Sequence, residues 1–395
     1  MVKTRAVMTA CCMAMLTLSF TVAGPAMCMP SMAKDLKLDY AQQGLVFSAP
    51  MWSFALSLVV AALADRIGFR GLLLVGSVVQ TVGWFLLAEV QSLPQAVCAA
   101  ALVGIGGSVV DPLLTPIICA VYPARRARMA NFLHGFYCVG FASVALLIVL
   151  LHPGVLTWRW AFRVLGALCV PYGVASAVLA LPRQVYQGEV RLRARTLMLR
   201  PIFWLLAVAM ILAAATEMGP ANWLPSFVQG LASPGDPAAG SNLLAGAGLV
   251  LFGSLMAAGR FMASAMETRI GVRRLLAGAA VACMVCLAAV ALPFGTVYRV
   301  VCLGIVGFSV ACLWPTLLAV AGDRFPQAGA SMFSVLSAVG AIGCAAAPLA
   351  LGCMGSLFGS LAPAMAALAL APALILIVSF RLRGGRRSPD VAGIV

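Results

Sequence analysis

The chain has 395 residues, 63% of them hydrophobic and only 9% charged, with a mean hydropathy of +1.06. A water-soluble domain carries roughly a quarter charged residues, so water is excluded as the main solvent of this fold. The net charge of +15 invites a nucleic-acid partner, but the basic residues are spread along the chain instead of clustering on one domain, which argues against one.

Twelve apolar stretches are predicted as membrane spans, near 6–29, 42–64, 71–90, 95–121, 129–151, 160–181, 202–228, 242–265, 275–293, 299–321, 331–353 and 361–380. Each half of the chain is long enough for six helices of about 20 residues with short loops. Span 1 follows Lys3-Thr4-Arg5 in the manner of a signal peptide. Its apolar run continues to Gly24-Pro25, longer than a signal core of about 7–15 residues, so it is read as a spanning helix.

Span 4 carries Asp111, ten residues from its end at position 121. At 1.5 Å per residue that is about 15 Å deep, near the midplane. An ionised carboxylate there costs on the order of 3 kcal/mol or more. It is tolerated in a wet cavity, beside a cation, or protonated, and each case makes it a proton or substrate site; the plain alternative is a helix-packing hydrogen bond. In the same span Gly104-Ile105-Gly106-Gly107 reads as close helix packing and not as a phosphate loop, because no strand precedes it.

Span 5 places Asn131, His134, Tyr137 and Phe141 at three- and four-residue spacing, hence on one face. An amide, an imidazole, a phenol and a ring together suit a hydroxylated ligand. His134 alone reads equally as a structural hydrogen-bonder, and it lies close to the boundary at which span 5 begins. The Arg-rich segment 182–200 is read as a linker between an N-terminal bundle, 1–181, and a C-terminal bundle, 201–380, with a basic tail at 381–395.

Glu217 lies about fifteen residues into span 7, in its outer half before Gly219-Pro220 and Asn222-Trp223. Like Asp111 it is a proton or substrate candidate, the alternative being a side chain that reaches the outer interface. Arg260 in span 8 is placed to pair with a carboxylate, to hold an anionic substrate, or to snorkel to the interface. Trp314 in span 10 is a candidate stacking platform or a plain packing residue. Thirteen cysteines is an odd number, mostly mid-span, and they read as packing residues; Cys283-Met284-Val285-Cys286 has no histidine nearby. With only His134 and His152 in the chain, no metal or other cofactor is expected, and no nucleophile–base pair marks an enzyme.

The two halves repeat. Arg66-Ile67-Gly68-Phe69-Arg70 returns as Arg269-Ile270-Gly271-Val272-Arg273, offset by 203 positions. The same offset carries Gly104 to Gly307, Pro112 to Pro315, Pro123 to Pro326 and Gly140 to Gly343, and it sets Trp314 in the place of Asp111. A duplicated bundle with matched helix-breaking residues points to a transporter with a central site. Twenty of the 26 Lys and Arg residues fall in the termini and even-numbered loops; the opposite side holds Lys34, Lys37, Arg159, Arg163 and Arg299, and Arg260 lies inside span 8. The positive-inside rule then puts both termini in the cytoplasm. Arg outnumbering Lys and the lack of any Asn-x-Ser/Thr site favour a bacterial cytoplasmic membrane.

The run Ala61-Ala62-Leu63-Ala64-Asp65-Arg66-Ile67-Gly68-Phe69-Arg70 resembles the loop between helices 2 and 3 of the major facilitator superfamily, whose signature is Gly-x-x-x-Asp-Arg-x-Gly-Arg-Arg. The resemblance implies a fold of twelve helices in two pseudo-symmetric six-helix bundles. It also implies an inner gate of ion pairs around Asp65, Arg66, Gly68 and Arg70, with Glu267, Arg269 and Arg273 in the second copy. Ala61 and Phe69 depart from the signature. Within the superfamily the chain is similar to the fucose permease-like sugar–proton symporters. Their Glu-Thr-x-x-Asn-Pro in helix 4 stands against Asp111-Pro112-x-x-Thr115-Pro116 here. Their Asn-x-x-Gln-x-Phe-x-x-x-Gly in helix 5 stands against Asn131, His134, Phe136 and Gly140. That likeness makes Asp111 the protonated carboxylate and sets Thr115, Asn131, His134 and Tyr137 around a substrate cavity. Unlike those symporters, span 1 has no acidic residue, only Thr9, Thr17, Ser19 and Thr21.

The expectation is a secondary transporter that works by alternating access, with proton-coupled uptake of a small polar solute such as a sugar. The rival is proton-driven efflux of drugs or metabolites through an adaptable Met-rich pocket. A transport-dead sensor on the same fold calls for an added soluble domain, which nothing in the sequence offers. A monomer suffices for two bundles, and the expected partners are the solute, protons and the bilayer.

Overall fold

In hydrocarbon every backbone N–H and C=O must be bonded within its own segment, so a chain this apolar crosses lipid as helices. The computed structural model describes residues 4–56, 59–60, 63–64, 67–151, 157–182, 199–231, 240–325 and 329–381, and their regular structure is helical throughout. Eleven helices are long and apolar enough to span a membrane. Span 2 completes the set of twelve, with a shorter regular helix at Tyr40–Trp52 and a 3-10 turn at Ser53–Leu56. The remaining spans are Thr4–Leu36, Phe69–Ala88, Leu93–Val121, Arg126–Leu151, Trp158–Val178, Pro201–Gly230, Asn242–Ile270, Val272–Ala289, Thr296–Val310 with Leu313–Arg324, Gly329–Phe358, and Leu361–Ala367 with Leu370–Arg381. Most of the linker and the tail lie outside the described residues, as do Asp65 and Arg66.

Span 1 runs unbroken through Gly24-Pro25 and Pro30 to Leu36, beyond its expected end near 29. Gly24 lets Leu165 and Trp84 close on it, with an added Cβ only 2.5 Å from the Leu165 side chain. Lys37 then turns with φ 55, and Asp39 opens span 2 with a capping box to Gln42. Spans 10 and 12, by contrast, are interrupted at 311–312 and 368–369. Each interruption begins four residues before a proline, Pro315 and Pro372, where the ring removes one backbone donor and meets the carbonyl of residue i−4.

The duplication is visible in backbone detail. Gly68 and Gly271 both take positive φ, +82 and +83, immediately before spans 3 and 9, a conformation essentially reserved for glycine. Gly104 lies against the Pro50 carbonyl of span 2, and Gly307 lies against the Phe252 carbonyl of span 8, 2.5 Å from an added Cβ. Gly140 approaches Leu16 and Ser19 of span 1, whereas Gly343 approaches Ile211 and Ala214 of span 7.

The odd-numbered spans begin at one end of the bundles, called the inner end here after the positive-inside expectation, and the opposite end the outer. At the outer end the two halves meet backbone to backbone. A Cβ on Gly44 of span 2 would sit 2.8 Å from the Pro348 carbonyl of span 11, and Gly246 of span 8 packs under Val149 of span 5. Ala41 N donates to Ser356 Oγ at 2.9 Å and Ser48 Oγ donates to the Ala345 carbonyl at 2.8 Å. Trp223 of span 7 is fully buried there. Its Nε1 donates to the Pro348 carbonyl at 2.9 Å, and Phe47 and Tyr40 meet it edge-on at 5.1 and 6.0 Å. Small residues permit such close approach where lipid supplies no hydrophobic drive between helices.

Candidate functional site

The inner half is less tightly closed, and the pattern is the same in both copies. In span 4 the half-open positions are Asp111, Pro112, Thr115, Pro116 and Cys119, separated by buried pairs. In span 10 Trp314, Pro315, Leu318, Ala319 and Gly322 are open or half-open in the same register. One face of each helix is therefore less covered by protein, since 3.6-residue periodicity puts these positions on one side. Deep in a span, a face that includes a carboxylate or a threonine looks onto a polar space, not onto lipid.

Glu217 stands just past the midpoint of the 30-residue span 7, and Arg260 is ten residues from the inner end of span 8. Side chains lean toward the N-terminus of their helix. Span 7 starts at the inner end and span 8 at the outer end, so the two side chains lean toward each other. They meet with Arg260 Nη2 3.6 Å from Glu217 Oε1, and the side chains are 21% and 7% exposed. The guanidinium carbon lies 5.9 Å from the Tyr137 ring centroid of span 5, within range of a cation–π contact. Arg260 Nε is buried with no hydrogen-bond partner among the described residues. The structure thus unites Glu217, Arg260 and Tyr137 from three helices of both bundles.

A second cluster joins spans 4 and 5, where Thr115 Oγ1 and His134 Nε2 are 3.0 Å apart. One turn deeper, Asp111 is half-buried and makes no hydrogen bond or ion pair with a described residue. It is therefore near the Thr115–His134 contact along the helix but not joined to it. Phe141 departs from the expected ligand face. It is fully buried and packs on Phe252 of span 8 at 6.1 Å, so it serves the seam between bundles. The side chain of Asn131 lies outside the described residues, and so does that of Glu267.

Trp314 is half-buried with its ring pressed on Gly340 of span 11. Gly340 is not among the residues that the sequence points to; a small residue 26 positions after a tryptophan carries no local signal. At the inner end, Arg70 donates to the Ala177 carbonyl at the end of span 6, a contact inside its own bundle that caps a helix C-terminus. Arg269 and Arg273 are exposed at the matching end of the second bundle. All thirteen cysteines are free, and no group of three potential metal ligands occurs among the described residues.

One further concavity, of about 420 Å³, opens near the inner ends of spans 1, 4 and 5. Arg5, Met8, Thr9, Cys12, Met13, Leu16, Tyr122, Phe132 and Phe136 line it. None of these is a site residue expected from the sequence.

A model of the Major Facilitator Superfamily matches residues 9–348. Two uncharacterized MFS-type transporters of Mycobacterium tuberculosis, Rv0849 and Rv1250, are 29% and 31% identical to the chain over 153 and 156 residues. Each match covers 38% of this chain, and the chain spans only 33% and 26% of the length of these relatives. Among solved structures, the nucleoside transporter NupG (D323A mutant) superposes with a TM-score of 0.79 at 14% identity, covering 96% of this chain and 98% of that one. A D-xylose–proton symporter gives 0.78 at 12% identity, with 96% and 97% covered. A bacterial homologue of the human lysosomal transporter Spinster, inward-facing and unoccupied, gives 0.75 at 17% identity, with 98% and 99% covered. At these identities the likeness concerns the fold alone.

Proposed function

Because the chain belongs to the major facilitator superfamily, we propose that it is a secondary transporter, not an enzyme, that takes up a small polar solute together with protons by alternating access. The observation that carries this reading is the buried Glu217–Arg260 pair beside Tyr137. It stands at the level where the half-open faces of spans 4 and 10 begin and the outer seal ends. Charged groups at that depth are costly unless they serve a pathway, and a site between repeats is where alternating access needs them.

In this reading Asp111, Glu217 and Arg260 serve proton coupling and substrate binding, and Thr115, Asn131, His134, Tyr137 and Trp314 border the solute. Asp65, Arg66, Gly68, Arg70, Glu267, Arg269 and Arg273 form the inner gate. The division at 182–200 separates the two moving bundles. The protein works as a monomer in a bacterial cytoplasmic membrane with both termini inside. Its likeness to sugar–proton symporters in spans 4 and 5 supports a hydroxylated solute. The test is uptake into proteoliposomes under an acid-outside pH gradient. Gradient-driven uptake of a sugar or related polar solute is expected, and Asp111→Asn is expected to abolish the dependence on the gradient. Unchanged gradient-driven uptake in Asp111→Asn removes that residue from coupling.

A second reading, proton-driven efflux of drugs or metabolites, is favoured by one feature. The inner concavity lined by Met8, Met13, Phe132 and Phe136 suits an adaptable apolar occupant. Raised resistance to lipophilic cations on overexpression is the outcome that would select it.

A further inference from the structure

Building on the transport reading above, we infer that the solute is an organic anion, a hydroxylated carboxylate, which displaces Glu217 as the counter-ion of Arg260 while Glu217 takes up the coupled proton.

The geometry that points there is the incomplete pairing of Arg260. A guanidinium offers five N–H donors in a planar fork, and its strong contacts to carboxylates are about 2.7–2.9 Å and often bidentate. Here the contact to Glu217 is a single one at 3.6 Å, and Nε is buried without an acceptor among the described residues. The Arg260 side chain is 21% exposed against 7% for Glu217, so the arginine is the partner that borders the opening. Tyr137 lies beside the guanidinium, 5.9 Å from it at the ring centroid, within cation–π range. A planar carboxylate fits such a fork better than a hydroxyl does, and Arg is the residue suited to it.

The charge balance supplies the proton. Besides each other, the titratable groups facing the pair are His134, Tyr137 and Cys138 of span 5, Cys312 of span 10 and Cys344 of span 11. None of them adds a second cation in its ordinary neutral form. With Glu217 ionised the pair is neutral overall. A monovalent anion on Arg260 leaves one uncompensated negative charge in a poorly solvated site, which is strongly unfavourable. One proton on Glu217 restores neutrality, so one proton accompanies each monovalent anion and no net charge crosses. A neutral sugar makes no such demand and leaves the Glu217–Arg260 pair closed.

The experiment uses the full chain, purified and then reconstituted, with D-gluconate, L-lactate and D-glycerate as acid probes and D-glucose as the neutral control. At least one acid is expected to raise the melting temperature. Its apparent Kd is expected to fall about tenfold per pH unit on acidification, as uptake of one proton on binding requires. Glu217→Gln is expected to keep the binding and lose that pH slope. The charge-balanced double variant Glu217→Gln with Arg260→Gln, which avoids leaving a lone buried charge, is expected to lose acid binding altogether. In proteoliposomes, uptake of the bound acid is expected to follow the pH gradient and to ignore a potassium–valinomycin potential. Acid binding that survives in the double variant overturns the inference, as does an unchanged pH slope in Glu217→Gln or a thermal response to none of the acids. Proton-driven glucose uptake that survives in the double variant overturns it too, yet leaves the transport reading standing. A chain that carries none of the four probes under any gradient sinks both.

Discussion

Spans 2 and 4 of the first copy and spans 8 and 10 of the second are the same pair of helices, and they solve one problem in opposite ways. In the first copy span 4 is continuous through Pro112 and Pro116, while span 2 turns 3-10 at Ser53–Leu56. In the second, span 8 is continuous from Asn242 to Ile270, and span 10 is interrupted at 311–312. Shifted by 203 positions, Ser53–Leu56 falls on Met256–Gly259, and Gly259 packs against the Phe308 carbonyl just before the interruption. The irregular backbone thus falls at a matching place in both copies, but a different helix of the pair yields in each. Ser108 Oγ donates to the Gly104 carbonyl at 2.7 Å in span 4; span 10 has Ala311 there. The chemistry diverges along with the backbone. The first copy carries a carboxylate with no described partner, Asp111, and the second carries Trp314 in its place and a paired Arg260.

The sharpest way to break this contrast is to exchange the two sides functionally. Asp111→Asn is expected to lower pH-gradient-driven uptake by roughly tenfold or more, about 1.4 kcal/mol or more in barrier terms, while Trp314→Phe leaves the gradient dependence in place. Uptake assays at fixed internal pH read both, and equal losses would erase the functional asymmetry. Next come the paired close contacts. Gly104→Ala meets the Pro50 backbone in a continuous helix and is expected to cost about 2–3 kcal/mol, against about 1–2 kcal/mol for Gly307→Ala beside the span 10 interruption. Thermal melts in detergent compare them; an equal drop says the interruption absorbs no strain.

Gly68→Ala and Gly271→Ala should behave alike, because both φ values lie near +82. About 1–2 kcal/mol each is expected from forcing a side chain into that region, and a clear difference in melting temperature would show that the two loops are not equivalent. The smallest effect is Arg70→Ala. It removes one donor to the Ala177 carbonyl and should cost about 0.5–1 kcal/mol, with amide exchange near the end of span 6 as the readout.

Much of this architecture was legible. Hydropathy located the spans, and the 203-residue offset found Gly68 and Gly271, Gly104 and Gly307, and Gly140 and Gly343, because glycine is needed where backbones touch or φ turns positive. The offset failed for spans 1 and 7. There Gly24-Pro25 matches Gly219-Pro220 at an offset of 195. The reason is a connection of different length: Leu36 to Tyr40 is four positions, and Gly230 to Asn242 is twelve. Helix interruptions were not legible from proline alone: Pro25 and Pro112 lie inside continuous helices, whereas Pro315 and Pro372 follow interruptions. Of the site, the depth of Asp111 could be read from residue counting. The meeting of Glu217 with Arg260 and Tyr137 could not, since it depends on how three helices from two bundles rotate about their axes. Phe141 shows the same limit, as shared periodicity with His134 did not decide which neighbour it faces.

Trp223 gives the molecule a built-in optical probe. Its indole is shut away from solvent at the outer junction, with Phe47 and Tyr40 of the other bundle against it. Trp84, equally shielded, has its ring neighbour Phe162 within its own bundle. Parting of the bundles on the outer side hydrates the first indole and spares the second. Under the proposed alternating-access cycle, emission from a variant that keeps Trp223 as its sole tryptophan would then move to longer wavelength on each outward turn, which times that cycle without an attached dye.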